Sequence, residues 1–112
     1  MEKLVRDKIP EIMEAAGVKC NYRIANEAEF KDALWEKLSE EFNEFTQSVY
    51  NDDHVDYDAV EEAADVLTVM IAIIEDRYKE CRIPVETLIE AYKKKANERG
   101  LFDKKIIATF NK

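Results

Sequence analysis

Between Asn26 and Val49 the apolar residues Phe30, Leu34, Leu38, Phe42, Phe45 and Val49 recur every three or four positions. That spacing gathers them on one face only if the chain is an α-helix. Asn26 stands where an N-cap belongs, with Glu29 three residues later in the place of a capping-box partner. A second pattern of the same period runs from about Val55 to about Glu80. Its apolar arc passes through Ala59, Ala63, Val66, Met70, Ile73 and Ile74, and Leu67 and Ile71 widen it. Between the two, Asn51-Asp52-Asp53-His54 supplies turn and capping groups. Pro84 suits the first turn of a third long helix, Val85 to about Arg99, which Gly100 ends.

The flanking segments are shorter. Lys3 to Pro10 reads as an extended arm, followed by a short helix with Pro10 in its first turn and Gly17 at its end. Val18 to Ala25 reads as an irregular, strand-like crossing, and Phe102 to Phe110 as either strand or helix. Only two glycines and two prolines occur in 112 residues, as expected where helices leave few turns to build. The predicted fold is one all-α domain, an antiparallel helical bundle. Because the second long helix is apolar over much of its circumference, it must be covered on more than one side. In so small a chain another subunit does this most easily, so a homo-dimer or homo-tetramer is expected.

Several function classes fall away. A net charge of −8 argues against nucleic acid and anionic membranes as partners. The apolar run Val66 to Ile74 is far too short to span a bilayer. The first eight residues contain no apolar core of signal-peptide length, and Cys20 and Cys81 are unclustered; reduced thiols in a cytoplasmic protein are the expectation. His54 is the only histidine, which removes histidine-rich zinc sites and makes a catalytic triad improbable. Two glycines cannot form a glycine-rich phosphate loop. Carboxylate is what remains in abundance.

Four of those carboxylates form two i, i+3 pairs aimed at or near the interior, and one member of each pair falls where a solvated acid does not belong. At about 100° per residue, Glu41 projects between Phe30 and Leu34, inside the apolar stripe, with Glu44 just beyond its edge. Glu62 projects between Val69 and Ile73, again inside the apolar arc, and Asp65 lies at its margin. An ionised carboxylate buried without compensation costs several kcal/mol or more. Two i, i+3 acidic pairs facing each other across an antiparallel pair of helices suit a hard divalent cation, Mg²⁺ or Mn²⁺. The competing reading pairs these acids with lysine or arginine. Lys37, one turn before Glu41 and beside Glu44 in projection, gives that reading a concrete form.

Three stretches carry a resemblance: Lys3-Leu4-Val5-Arg6-Asp7-Lys8-Ile9-Pro10, Glu40-Glu41-Phe42-Asn43-Glu44-Phe45 and Glu61-Glu62-Ala63-Ala64-Asp65-Val66-Leu67. Together they resemble the all-α NTP pyrophosphatase superfamily, in its MazG-like and phosphoribosyl-ATP pyrophosphohydrolase-like branch. The resemblance runs from Lys3 to Ile107. It implies that Glu41, Glu44, Glu62 and Asp65 hold catalytic Mg²⁺, and that a nucleoside triphosphate is cleaved to the monophosphate and pyrophosphate. Glu41 or Glu44 would orient or deprotonate the attacking water. Lys93-x-x-x-Asn97-x-Arg99-Gly100 resembles the basic segment that family members place near substrate phosphates or sugar. Where the family pattern has a second glycine, this chain has Leu101.

Alternatives stay open at several of these positions. Lys93, Lys94 and Lys95 also suit a helix C-terminus for dipole reasons. Arg6 and Lys8 either meet phosphate oxygens or pin the arm to the bundle through Asp7 and surface acids. Tyr22 and Trp35 either stack on a base or serve the core. The same site would equally serve phosphoribosyl-ATP. A non-catalytic helical oligomerisation or binding module is the reading from another class, and it expects lysine or arginine on Glu41 and Glu62.

Overall fold

A computed structural model describes residues 2–50, 58–79 and 81–110. Among them the chain forms four helices, α1 (Ile9–Ala15), α2 (Glu27–Tyr50), α3 (Asp58–Arg77) and α4 (Val85–Arg99), and no strand. None of these helices is long and apolar enough to cross a membrane. The chain divides into two compact units, Met1–Cys81 and Arg82–Lys112. The turn and capping groups expected at Asn51 to His54, and the start of the second long helix near Val55, lie outside the described residues.

Local chemistry sets the helix ends. The Asn26 side chain accepts a hydrogen bond from the Glu29 amide at 2.9 Å, and its carbonyl accepts from the Phe30 amide at 2.9 Å. Asn26 is therefore the N-cap that the sequence indicates. The Glu29 carboxylate binds Arg23 rather than turning back to the cap, and Arg23 also holds Glu2. Pro10 lies in the first turn of α1, and Gly17 follows its end at φ 83°, a left-handed conformation natural to glycine. Val18 to Ala25 crosses without regular secondary structure.

In the first unit, α2 packs along α3, and the pairs they form show that they run antiparallel. Glu27 at the start of α2 meets Lys79 just past the end of α3 at 3.2 Å. Leu34 and Ile73 line one hollow, and further along Glu41 groups with Glu62 and Asp65. Leu34, 3 % exposed, and Val69, 7 % exposed, are the buried apolar side chains among the described residues. Each contributes about 1.5–3 kcal/mol by leaving water. The third buried residue is Glu41.

The apolar stripe of α2 divides. Steps of four residues advance about 400°, so a row so spaced winds about 40° per step around its helix. Leu34 therefore stays under α3, whereas Phe42 is 60 % exposed and Val49 46 % exposed. With Trp35, also exposed, and the half-buried Leu38 and Phe45 they form a 3-4-3-4 row, the spacing of a coiled-coil seam. On α3 the buried side chain is Val69, at the margin of the expected arc, while Ala63 and Met70 in the middle of that arc are exposed. Trp35 and Tyr22 are both largely exposed, so neither serves the core.

The second unit holds α4. Pro84 precedes it as the N-cap, in extended conformation, with its carbonyl accepting from the Thr87 amide. Gly100 closes it at φ 81° through a hydrogen bond to the Ala96 carbonyl. Beyond Gly100 the tail is neither strand nor helix; it turns at 102–104, and Lys105 adopts φ 55°.

Candidate metal centre

The facing surfaces of α2 and α3 carry the acids inward at mid-hairpin. Glu41, Glu62 and Asp65 each present a carboxylate oxygen, and these oxygens all lie within 4.8 Å of one another. Glu41 is only 7 % exposed. Its Oε1 receives the Lys37 ammonium at 3.1 Å, one turn earlier on α2. Its Oε2 is buried and has no hydrogen-bond partner, and the same holds for Glu62 Oε2. An orphaned carboxylate oxygen out of water carries a large desolvation cost that the fold leaves unanswered.

Glu62 bears most of this strain. Burial pushes its carboxyl above the usual carboxylate range, and repulsion from Glu44, Asp65 and Glu41 pushes it further, as does a proton-sharing contact with Glu44. Glu44 itself is exposed at the rim of the group. Among the described residues neither Glu44 nor Glu62 has a basic partner.

The remaining acids do have cations. The Arg6 Nη2 lies 2.6 Å from Asp65 Oδ1 and 3.1 Å from the Thr68 hydroxyl, which donates in turn to the Ala64 carbonyl at 2.8 Å. Lys37 also approaches Glu40 at 3.6 Å, and Lys3 reaches Glu40 at 3.3 Å. Lys37 is consequently held in its charged form: burial opposes this, but Glu41 and Glu40 outweigh it. The group thus sets five carboxylates, Glu40, Glu41, Glu44, Glu62 and Asp65, against three cations, Lys3, Arg6 and Lys37. With all five ionised, two negative charges are left over, the charge of one divalent cation. Oxygen donors without histidine or cysteine fit Mg²⁺ or Mn²⁺.

Of the residues expected at the site, the structure brings together Glu41, Glu62 and Asp65, with Glu44 against Glu62 and Arg6 on Asp65. Arg6 pins the arm directly to a site acid, without Asp7. Lys8 is exposed at the N-cap of α1 and makes no capping hydrogen bond. Lys93, Asn97 and Arg99 are exposed on α4, in the second unit. The expected pairing of both inward glutamates with basic residues is met at Glu41 and not at Glu62. Thr68 was not singled out by the sequence, although its i+3 relation to Asp65 puts the two side by side on α3. The partnership of Lys3 with Glu40 has no signal in the spacing. A separate open hollow of about 670 Å³ lies toward the other end of the hairpin, floored by Leu34 and Ile73 and flanked by Trp35.

No family model, curated protein or solved structure matches the chain.

Proposed function

We propose that this protein is a Mg²⁺-dependent nucleotide pyrophosphohydrolase that converts a nucleoside triphosphate to the monophosphate and pyrophosphate. The observation that carries the proposal is the pair of buried, unpartnered carboxylate oxygens on Glu41 and Glu62, two acids that cluster with Asp65 within 4.8 Å. The substrate class rests on the resemblance of the arm and the two acidic motifs to the all-α NTP pyrophosphatases.

Glu41, Glu62 and Asp65 would hold the cation, with Glu44 at the rim. When bound, the cation supplies charge neutralisation to the polyphosphate. Glu41 and Glu44 are the candidates to orient or deprotonate the attacking water, and Lys37 fixes the Glu41 carboxylate through Oε1. Arg6, Lys8, Lys93, Asn97 and Arg99 are the candidate contacts to phosphate and sugar. The test is pyrophosphate release from a nucleotide panel that includes phosphoribosyl-ATP, with Mg²⁺ and with EDTA. Turnover indifferent to EDTA, or retained in Glu41→Gln plus Glu62→Gln, sinks the proposal.

One observation favours the non-catalytic helical module: Lys37 on Glu41 and Arg6 on Asp65 already neutralise part of the cluster. The two readings part at Glu62, which a purely structural bundle leaves without a purpose. In either reading a second copy of the chain covers the Trp35, Phe42 and Val49 row, because a hairpin with two buried apolar side chains among its described residues has little core of its own.

A further inference from the structure

Two kinds of cation meet the acidic group, and they differ in how firmly they are placed. Lys37 rises from α2 itself, its side chain is 16 % exposed, and it occupies Oε1 of Glu41 while Oε2 stays unpartnered. It need not move for another ligand to use Glu41. Arg6 comes from the extended arm, 59 residues away in sequence, and its side chain is 56 % exposed. It takes up Oδ1 of Asp65, a carboxylate that places one oxygen in the 4.8 Å cluster.

We propose that Arg6 competes with the divalent cation for Asp65, so that it sets the cation affinity of the site and is displaced when the cation binds. The proposal rests on the metal-centre reading above. An exposed ion pair is weak because water and salt screen it. A guanidinium brings one charge to one carboxylate here, whereas a divalent cation brings two charges to Glu41, Glu62 and Asp65 together. The exchange therefore runs toward the metal. Thr68 is the second anchor of the guanidinium, accepting its other N–H, and is not itself one of the clustered acids. The arm stays fastened after the exchange, since Lys3 remains on Glu40 and Glu2 on Arg23. The freed guanidinium is then held beside the site with donors unfilled, a group suited to an anionic oxygen.

Isothermal titration of Mn²⁺ into the full chain, its Arg6→Gln variant and its Thr68→Ala variant tests this, with circular dichroism to establish that all three are folded. Both variants should bind Mn²⁺ about three- to fivefold more tightly than the wild type, the range an exposed ion pair supports. In parallel, ¹³Cζ-arginine spectra of the wild type should show the Arg6 resonance, assigned through Arg6→Gln, moving toward the free-guanidinium position as Mg²⁺ saturates. Equal or weaker Mn²⁺ binding in both variants, or an Arg6 resonance unmoved at saturation, overturns the exchange. If all three proteins bind Mn²⁺ alike, the exchange alone falls. If none binds it, the metal-centre reading falls too.

Discussion

Glu41 receives the Lys37 ammonium at 3.1 Å through Oε1 and leaves Oε2 buried without a partner. Glu62, across the hairpin, has the orphaned oxygen and no cation partner among the described residues. The two glutamates should therefore respond oppositely to neutral replacement in the metal-free protein. Glu41→Gln deprives a largely buried lysine of the nearer of its two carboxylate partners and should cost about 1–3 kcal/mol. Glu62→Gln removes repulsion and should raise Tm by roughly 4 °C, the effect of about 1 kcal/mol in a domain of this size. Thermal denaturation in EDTA measures both.

The gain from Glu62→Gln should depend on pH. Burial and the neighbouring carboxylates raise the Glu62 carboxyl above its ordinary value of 4.5, so the folded chain holds this proton more strongly than the unfolded chain. Below 4.5 both states hold it and the residue costs nothing. As pH rises from 4.5 through the raised value, stability is lost. Glu40 runs the other way: burial opposes ionisation, but Lys3 and Lys37 pull its carboxyl below 4.5. Its contribution is present above 4.5 and disappears as pH falls through the lowered value. Tm against pH for wild type and Glu62→Gln should converge below 4.5 and separate toward neutrality.

Mn²⁺ at a hundred times its dissociation constant should stabilise the wild type by about 2.7 kcal/mol, and EDTA should reverse it. The combined Glu41→Gln, Glu62→Gln variant should show no such rise. Differential scanning fluorimetry across a Mn²⁺ series gives the answer, and an equal shift in that variant would place the ion elsewhere.

Leu34→Ala should cost about 2–5 kcal/mol, because Leu34 is the most buried apolar side chain described and its removal leaves a cavity under α3. Ile24→Ala, at a side chain 87 % exposed, should change stability by less than about 0.5 kcal/mol. Urea melts of the two distinguish a real core from a loose surface.

Phe42→Glu places a charge in the exposed 3-4-3-4 row of α2. Light scattering after size-exclusion chromatography should find the wild type at a multiple of 13.1 kDa and this variant shifted toward one copy. A wild type already running as a single chain would dispose of the expected oligomer.

The helices were legible where a local interaction decides them: Asn26 and Gly100 mark their ends through hydrogen bonds to residues three or four positions away. The inward placement of Glu41 and Glu62 was equally readable, since each helix carries its own apolar reference. The division of the α2 row was less so. A list of recurring apolar residues conceals its winding around the helix, and only the partner helix shows which members it covers. The arm was the least legible part. Nothing near Arg6 in sequence announces that it meets Asp65 and Thr68, or that Lys3 meets Glu40.

That distance has a kinetic side. Joining Glu41 to Glu62 and Asp65 needs only the hairpin to close, whereas seating Arg6 on Asp65 closes a span of 59 residues, and loop closure becomes slower as such spans lengthen. The acids should thus assemble before the guanidinium reaches them, leaving a refolding interval in which their repulsion is at its greatest. Refolding of the wild type should then quicken in Mn²⁺, with the ion acting as a template for the helical hairpin before the arm arrives.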